Sequence, residues 1–515
     1  MSFKKQFLII TVILAAIMEL IDTSIVNVSI SNMSGNLGAT LEDTEWVITS
    51  YAIANVIIIP ITSFLTNRLG RRNYYIGSII LFTICSFLCG NAGGIWELVA
   101  FRFLQGLGGG ALLSVSAAVV YEQFPKEKIG VASALFGLGV FIGPTIGPTL
   151  GGFITEDYSW PWIFYINIPI GIFVATSSYF LLRESPIKTT VSKVDWTGIA
   201  LLVGGVGSLQ TVLERGQTED WFSSKYILVL TIVAVVCLVA FVLWELHTPA
   251  PVVNLRVLRS RSLSVAALLT FVSGLGLFTS VFLTPVFAQR ILDFSPSQTG
   301  TLLLPGAIVA IFALVISGRL LQRGIPPAFM ALVGFLFFIY FNWAMSKVDL
   351  HTSWYYMATT LITRGVGIAL LTVPLSTLAV SSLAAKDIPQ GTALNNMMRQ
   401  LGGSFGLSII TTFLTRRTQL HRVDLISNVY DSNPAVNERI NQIAFRFQQT
   451  GASFNDAKLK ALDVIDHTVV KQSSLLSYID AFLLIGIIFA VALPLLFFEI
   501  GGKKKAAPKV PIMDH

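Results

Sequence analysis

The sequence predicts an all-α protein that crosses a membrane many times, and three observations carry this prediction. Only 12% of the 515 residues are charged and 54% are hydrophobic, whereas about 25% of a typical soluble domain is charged. Apolar runs of bilayer-spanning length, roughly 20 residues, recur along the whole chain. The loops between these runs alternate between basic and acidic. Because such a chain cannot cover a water-exposed surface, lipid must surround most of it.

Fourteen runs are long and apolar enough to be transmembrane helices. The first follows Lys4 and Lys5, as in a signal peptide, but Glu19 and Asp22 interrupt its far end and no small-residue cleavage site follows. We therefore interpret it as a retained helix. The predicted spans are 7–28, 46–66, 74–91, 96–121, 130–154, 162–182, 196–213, 225–246, 263–288, 298–320, 326–345, 355–380, 391–416 and 476–499.

The charges of the short loops predict the orientation. One set of alternate loops and termini holds twenty cations, from Lys4 to Lys509, whereas the short loops of the opposite set hold four (Arg215, Lys225, Arg290 and Lys347). Basic loops remain on the cytoplasmic side of a membrane. Both termini are therefore predicted to be cytoplasmic, as an even number of helices requires.

A weak repeat predicts two equivalent halves. Arg102 to Gly108 in the fourth span resembles Arg364 to Gly367 in the twelfth, and the loop Asn67 to Arg72 resembles the loop Gly318 to Gly324. We predict an N-terminal six-helix half at 1–183, an inserted two-helix hairpin at 184–250 and a C-terminal six-helix half at 251–515. Two membrane halves with a site between them are the architecture of alternating-access transporters.

The polar segment 417–475 separates the last two predicted spans and is expected on the external side. Its apolar residues recur at helical spacing, at 440, 443 and 447 and again at 459, 462, 465 and 469, which predicts two short amphipathic helices. A long structured loop is often a binding element. An equally open interpretation is that the segment packs on itself and covers the external end of the helix bundle.

Charged side chains within the spans are the first candidates for function, because each is costly in a bilayer. The acids Glu19 and Asp22 lie three residues apart, so they share a helix face. Two carboxylates that close in a low dielectric do not both stay ionised near neutral pH, so one of them is expected to carry a proton. At 1.5 Å per residue, Asp22 and Arg102 lie at similar depth, so they are predicted to pair. We favour a switch released by protonation; the alternative is a static ion pair that only fixes packing.

Small residues in the fifth span predict an unusually close helix contact. Glycines recur every four residues, at Gly139, Gly143, Gly147 and Gly151, which places them in a row along one helix face. Pro144, Pro148 and Gly152 accompany them, and the prolines remove helix hydrogen bonds and add kinks.

Several of these patterns resemble motifs of the major facilitator superfamily. The helix-5 stretch from Gly139 to Gly152 looks like its antiporter motif, residues 20–28 resemble the helix-1 motif of its drug:proton antiporters, and Arg102-x2-Gln105-Gly106 resembles the helix-4 motif whose arginine is linked to proton transfer. Further likenesses are residues 46–51, 160–164, Asn167-x-Pro169 and Asp195-x2-Gly198 leading to residues 214–216. With fourteen predicted helices, the chain is similar to the EmrB/QacA-type branch, and its long outer loop is more similar to EmrB.

This resemblance implies a proton-driven antiporter in the bacterial inner membrane that exports lipophilic drugs or other amphipathic compounds. It implies no cofactor, because the proton gradient is the energy source. By resemblance, Asp22 and Arg102 are proton-coupling residues, and Glu19, an additional acid beside the motif aspartate, is the third candidate. The implied partners are the lipid bilayer, small lipophilic substrates, protons, a periplasmic EmrA-like adaptor bound through loop 417–475, and an outer-membrane channel.

The loop between the second and third spans departs from the family pattern. Its residues Asn67, Arg68, Gly70, Arg71 and Arg72 are the candidate gate loop, but Ser63 and Asn67 stand where the pattern has glycine and aspartate. We expect that this loop does not use the usual ion pairing. The tenth span also lacks the acid that some relatives use for multiply charged cations, which lowers the preference for dications.

Substrate is expected in a cavity between the halves, lined by apolar, aromatic and a few polar side chains. The polar candidates within spans are Asn27, Asn55, Gln105, Arg364, Asn395 and Arg399. A polar contact between helices is an equal alternative for each. The arginines favour anionic compounds and the helix-1 acids favour cations, so the preferred charge stays open.

Two other functions were weighed. An uptake symporter for a nutrient has the same fold, but the helix-5 motif and the number of spans argue against it. A membrane enzyme is less favoured, because the five histidines are scattered over loops and tail and the sequence contains neither a nucleophile–base pairing nor a metal-ligand spacing. No phosphate-binding Gly-x4-Gly-Lys-Ser/Thr loop is present. The positive charge is explained by loop orientation, so we predict no nucleic-acid partner.

Overall fold

The structure is a computed structural model that describes residues 3–125, 128–183, 195–249, 251–381, 383–384, 387–430 and 432–496. These residues form α-helices joined by short turns and contain no β-strand, which confirms the predicted all-α class. Some of the predicted cytoplasmic lysines, together with the first part of the predicted 184–250 hairpin, lie outside the described residues: Lys126, Lys188, Lys193, Lys386, Lys503, Lys504, Lys505 and Lys509.

Seventeen α-helices are present in the described part of the chain. They are α1 (Phe3–Ile25), α2 (Ile30–Leu37), α3 (Leu41–Leu69), α4 (Arg71–Gly90), α5 (Ile95–Glu122), α6 (Ile129–Asp157), α7 (Trp162–Tyr165), α8 (Asn167–Leu181), α9 (Trp196–Arg215), α10 (Lys225–His247), α11 (Arg261–Arg290), α12 (Pro296–Gln322), α13 (Pro327–Met345), α14 (Trp354–Ser381), α15 (Ile388–Ile426), α16 (Pro434–Gln449) and α17 (Phe454–Ala492).

Thirteen candidate membrane spans, long and apolar enough to cross a bilayer, occur in the described residues, with α7 and α8 together forming one of them. The helix α15 occupies the place of the thirteenth predicted span but does not meet this measure. Its first half carries buried polar side chains, among them Asn395, Asn396 and Arg399, which lower its apolar content. The number fourteen and the cytoplasmic termini therefore remain predictions.

The predicted repeat groups the helices as an N-half (α1–α8), a hairpin (α9–α10) and a C-half (α11–α17). In the N-half, α5 packs against α3 and α4, and α1 packs against α6. In the C-half, α14 packs against α12 and α13, and α11 packs against α15. The same three pairings therefore recur in both halves. A core of phenylalanines, including Phe335, Phe338 and Phe482, fills the C-half.

The two halves meet most closely where α6 begins and α12 ends. A Cβ added to Gly318 of α12 would lie 3.0 Å from the Gly130 carbonyl oxygen of α6, so the two backbones almost touch. Thr377 of α14 donates a hydrogen bond to Ser133 of α6 at 3.0 Å. These ends adjoin basic loops, with Lys128 beside α6 and Arg323 beside α12. The bundle is therefore closed at the end that the loop charges predict to be cytoplasmic.

The hairpin contacts both halves near its opposite end. Arg215 of α9 forms an ion pair with Glu45 of α3 at 3.0 Å. Gln210, one turn earlier, donates a hydrogen bond to Ser404 of α15 at 2.8 Å. The inserted hairpin therefore packs against both halves.

The polar segment 417–475 differs in structure from its prediction. Only α16 is a separate short helix, and its Ile440 and Ala444 pack on Ala457 and Ala461 of α17. The second predicted short helix is wrong, because those residues belong to the 39-residue helix α17. Residues 417–426 prolong α15, which is also 39 residues long. Continuous helices form here because no proline or glycine interrupts either one where its apolar span becomes polar.

Candidate functional site

Helix α1 positions both candidate acids inside the N-half. Glu19 is 3% exposed and Asp22 is fully buried. The two residues are three apart, but their side chains contact different neighbours: Asp22 contacts α5 and α8, whereas Glu19 contacts α3. The acids therefore form two separate polar centres on one helix.

Asp22 lies at the centre of a hydrogen-bond network that reaches both of its carboxylate oxygens. The predicted ion pair is present, with Arg102 Nη1 donating to Asp22 Oδ2 at 2.6 Å. The other oxygen, Oδ1, accepts from Gln105 Nε2 at 3.1 Å and from Asn167 Nδ2 at 2.8 Å. Both amides also donate to Ser86 Oγ, at 3.1 and 3.0 Å. Each oxygen of the Asp22 carboxylate therefore has at least one strong donor.

Arg102 is held by more than its counter-ion. Its Nε donates to the Val47 carbonyl oxygen at 3.2 Å, and its Nη1 also donates to Gln105 Oε1 at 2.8 Å. The guanidinium carbon lies 4.0 Å from the Tyr51 ring centroid, which is a cation–π geometry. These contacts fix the guanidinium, which is 1% exposed, and compensate part of the cost of burying its charge.

Glu19 is much less satisfied than Asp22. Its Oε1 accepts from Asn55 Nδ2 at 2.8 Å and from Tyr51 Oη at a longer 3.4 Å. Its Oε2 is buried and has no hydrogen-bond partner. A buried carboxylate oxygen without a donor is costly, so this atom is a natural place for a proton.

The C-half contributes a second polar cluster, on α15, that faces the N-half. Arg399 is 8% exposed and donates to Asn396 Oδ1, and Asn396 Nδ2 donates to Ser114 Oγ of α5 at 3.4 Å. Beside this chain, Asn395 and Tyr121 help to line a small cavity between the halves. The cavity has room for about one water molecule.

Arg364 is the counterpart of Arg102 in the sequence repeat, but its surroundings differ. Its Nη1 donates to the Ser280 carbonyl oxygen at 3.2 Å, and its guanidinium carbon lies 5.8 Å from the Phe341 ring centroid. Its Nε is buried without a partner. The C-half therefore does not repeat the ion pair of the N-half at this position.

The glycine row of α6 packs directly on α1. A Cβ added to Gly143 would lie 2.4 Å from Leu20 Cβ, and one added to Gly147 would lie 1.9 Å from Ser24 Oγ. Gly139 and Gly151 face α1 in the same way, whereas a Cβ on Gly152 would meet nothing within 4 Å. Pro144 and Pro148 lie inside the same helix. The row lets α6 approach the helix that carries both acids.

The candidate gate loop is organised by its two consecutive arginines. Gly70 joins α3 to α4 with φ +83°, a conformation that favours glycine. Arg71 pairs with Glu122 of α5, and Arg72 donates to the Tyr179 carbonyl oxygen at 2.6 Å. Glu122 thus supplies an acid for this loop where the family pattern has one at 67. Asn67 and Arg68, the other two candidates, are exposed.

The predicted substrate residues fall into different environments. Gln105 and Asn55 are occupied by Asp22 and Glu19, and Asn395, Arg399 and Arg364 are described above. Asn27 is exposed in a short 3-10 turn after α1. The sequence indicated Tyr51 and Asn167 only within family-like motifs and did not indicate the roles of Ser86 and Asn396. The available signals were a polar residue in an apolar run for Ser86 and the position next to Asn395 for Asn396.

The arrangement can move or hold a proton, but it offers little for other chemistry. Among the described residues, no group of three or more His, Cys, Asp or Glu side chains is placed to hold a metal ion. The buried charged groups described above are instead the Asp22–Arg102 ion pair, the partly satisfied Glu19, and Arg364 and Arg399, which have no carboxylate in contact among the described residues.

Comparison with known proteins gives a consistent set of likenesses. The sequence profile of the Major Facilitator Superfamily matches residues 12–407. The chain is 33% identical to the multidrug export protein EmrB of Escherichia coli (strain K12), over 96% of this chain and 95% of that protein. It is 32% identical to the fatty acid resistance protein FarB of Neisseria gonorrhoeae, over 95% of this chain and 96% of that protein.

Two further likenesses are more distant. The chain is 29% identical to the colistin resistance protein EmrB of Acinetobacter baumannii (strain ATCC 17978), over 95% of this chain and 94% of that protein. Among solved structures, the human organic anion transporter MFSD10 (TETRAN) superposes with a TM-score of 0.57 at 13% identity, covering 94% of this chain and 99% of that one. At that identity the likeness concerns the fold alone.

Proposed function

Because this chain belongs to the major facilitator superfamily, we propose that it is a proton-driven antiporter that exports lipophilic drugs or other amphipathic compounds. It is a multi-pass protein of the bacterial inner membrane and a transporter, not an enzyme. Beyond family membership, the proposal states the energy source, the direction of transport and the class of substrate.

The observation that carries the proposal is the pair of acids on α1. Burying two carboxylates in an apolar bundle is costly, and such groups mark ion and proton pathways in membrane proteins. Asp22 has a buried counter-charge in Arg102, whereas Glu19 has a buried oxygen without a partner. A site with one ion pair and one under-satisfied acid can bind and release a proton without a metal or cofactor.

The substrate class is supported by the relatives and by the interface between the halves. The relatives are named for export of drugs and for resistance to fatty acids and colistin, which are lipophilic or amphipathic compounds. Drug-sized ligands occupy pockets of about 300–1,000 Å³, so the water-sized cavity beside Tyr121 and Asn395 must enlarge. Separation of α15 from α5 and α6 would open it between aromatic and amide side chains.

We further propose that the transporter is the inner-membrane part of a tripartite system, with a periplasmic adaptor bound at segment 417–475. The prolonged ends of α15 and α17, with α16 beside them, form a helical extension of the bundle. Several large apolar side chains are exposed on this extension, including Leu420, Val423, Phe445 and Leu459. Exposed apolar patches of this kind are typical of protein-binding surfaces.

The adaptor proposal is tested by removing α16. A variant that joins residue 427 to residue 453 through a short Gly/Ser linker should lose co-purification with the adaptor protein from the same bacterium. Unchanged co-purification would exclude α16 as a docking element. Leu459→Glu in the full-length chain tests the same proposed docking surface by a single substitution.

The transport proposal is tested with purified protein in liposomes loaded with ethidium. An imposed pH gradient should drive ethidium against its concentration gradient, in the direction opposite to proton flow, and an uncoupler should abolish this movement. Proton and dye moving in the same direction would instead make the protein a symporter. Liposomes of the same lipid composition without protein are the control for leak.

A further inference from the structure

The hairpin packs on the N-half through apolar surface and an ion pair. Leu202 of α9 belongs to one buried cluster with Val56 and Ile57 of α3. At the end of α9, the buried Arg215 pairs with Glu45 of α3 at 3.0 Å. Separating α9 from α3 would expose the apolar cluster and would remove one of the carboxylates that contact a buried guanidinium, and both changes are costly. We therefore expect the hairpin to move together with α3.

The contacts of the hairpin with the C-half are of a different kind. Gln210 Nε2 donates a hydrogen bond to Ser404 Oγ of α15 at 2.8 Å, and Trp221 Nε1 donates one to Thr412 Oγ1 of α15 at 3.1 Å. All four groups are neutral, so breaking these two bonds leaves no charge without its counter-ion. The link to α15 is therefore easier to break than the link to α3.

Both donors also have a second acceptor within the hairpin and its connecting turn. Gln210 Nε2 donates to Glu214 Oε1 at 2.9 Å, and Trp221 Nε1 donates to Gln217 Oε1 at 3.2 Å. A buried donor that loses its only partner costs the full desolvation penalty of that group, whereas a donor that keeps a partner does not. The two bonds to α15 can therefore break and form again at low cost.

The contact between the halves at the other end of the bundle has the same property. Thr377 Oγ1 of α14 donates to Ser133 Oγ of α6 at 3.0 Å and to the Val373 carbonyl oxygen of its own helix at 2.8 Å. In alternating access one half rocks against the other around a fixed site, so each end must open in turn. Neutral contacts with a local second acceptor, placed at opposite ends, are suited to this exchange.

We propose that the hairpin moves with the N-half and that its bonds Gln210–Ser404 and Trp221–Thr412 form a latch between the halves at the predicted external end. The latch breaks each time that end opens and forms again when it closes. This inference rests on alternating access and is independent of proton coupling and of the substrate. Arg215 then acts as a positioning residue that fixes the hairpin to the N-half.

The experiment measures how fast a maleimide labels a cysteine placed beside the latch in purified full-length protein. Ser408→Cys is the reporter, because Ser408 is 4% exposed and shares one face of α15 with Ser404 and Thr412, at a spacing of four residues. The three native cysteines are replaced by serine. Labelling should be slow while the latch is closed and fast when α15 parts from the hairpin.

Two conservative variants remove the latch acceptors, and two others serve as controls. Thr412→Val and Ser404→Ala each remove one neutral hydrogen bond and should raise the labelling rate about two- to tenfold. Thr377→Val releases the other end of the bundle, so it should lower the labelling rate by a similar factor. Glu45→Gln weakens a contact between the hairpin and the N-half, which move together, so it should leave the rate unchanged.

The opposite signs of these effects separate a latch from general loosening. Unchanged labelling in both Thr412→Val and Ser404→Ala would overturn the proposal, and so would a faster rate in Thr377→Val. A rise in Glu45→Gln as large as that in Thr412→Val would show that the hairpin does not move with the N-half. Because labelling needs neither a pH gradient nor a dye, a lack of ethidium transport in liposomes would contradict proton antiport alone.

Discussion

Replacing Gly143 by alanine should damage transport through a steric effect that can be worked out from the helix contact. An added Cβ would lie 2.4 Å from Leu20 Cβ, 3.2 Å from the Leu20 carbonyl carbon and 3.3 Å from the Ile21 amide nitrogen. Carbon atoms in contact prefer about 3.5–4.0 Å. Because the nearest atoms belong to the Cβ and backbone of α1 rather than to a flexible side-chain end, the two helices must separate by about 1 Å.

Overpacking of this size costs about 1–3 kcal/mol. A difference of that size between two transport conformations changes their populations by about 5–150-fold. Since α1 carries Glu19 and Asp22, the displacement also moves the acids relative to Asn55 and Arg102. We therefore expect Gly143→Ala to lower the initial rate of ethidium efflux at least about fivefold at equal protein level.

Alanine substitutions at two other glycines of α6 serve as controls for Gly143→Ala, because the added Cβ has a different amount of space at each. An alanine at 147 would first meet the Ser24 hydroxyl, at 1.9 Å, and rotation of that side chain can relieve part of the clash. An alanine at 152 would meet nothing within 4 Å. The expected order of damage is therefore Gly143→Ala, then Gly147→Ala, with Gly152→Ala at the wild-type rate.

The assay is dye efflux from energised cells, normalised to the amount of protein in the membrane and accompanied by thermal unfolding of the purified variants. Equal rates and equal unfolding temperatures for Gly143→Ala and Gly152→Ala would refute the steric reasoning. Damage in Gly152→Ala alone would show that the motif acts through a face other than the one against α1.

Three further predictions concern ion pairs. Asp22→Asn leaves the buried Arg102 charge uncompensated and should destabilise the protein by about 3–5 kcal/mol. The unfolding temperature should fall accordingly, and an unchanged unfolding temperature would show that stability does not depend on the ion pair. Glu122→Gln removes the partner of the mostly buried Arg71. It should therefore lower the unfolding temperature more than Glu97→Gln, which changes an acid at the exposed start of the same helix. Equal effects of the two substitutions would contradict this prediction. Asp480→Asn loses contacts with Arg417 and His421, which are only partly buried, so a loss of about 1 kcal/mol or less is expected. It should be seen as faster hydrogen exchange where α15 packs on α17 around these residues, and a loss of all folded protein would contradict it.

The fold class was predictable because it follows from composition and hydrophobic period. A chain this poor in charge must be surrounded by lipid, and in lipid a helix satisfies its own backbone hydrogen bonds. The spans were predicted for the same reason, and the predicted span 391–416 coincides with α15, although α15 is not among the thirteen candidate spans of the described residues. The helix α15 carries polar side chains where it faces the other half. These side chains lower its mean hydropathy, so hydropathy alone is a weak indicator of a span at this position.

Segment 417–475 was the part of the fold predicted least well. Apolar spacing correctly indicated helix, and α16 lies where a short helix was expected. The spacing could not tell whether the second stretch was separate from the last span. Helix continuity depends on the absence of a break near residue 472 and on packing against α15 and α16, which local periodicity does not describe.

The sequence by itself determined which residues were candidates: intramembrane acids and arginines are costly, so their presence in an apolar run already indicates function. It also predicted the pairing of Asp22 with Arg102, because helix rise places the two residues at similar depth, and the structure confirms the contact. Only the tertiary structure decided that both oxygens of Asp22 accept hydrogen bonds, whereas Oε2 of Glu19 is buried without a donor. Those differences depend on which neighbouring helix each side of α1 faces, and the rotation of one helix against its neighbours is fixed by packing rather than by local sequence.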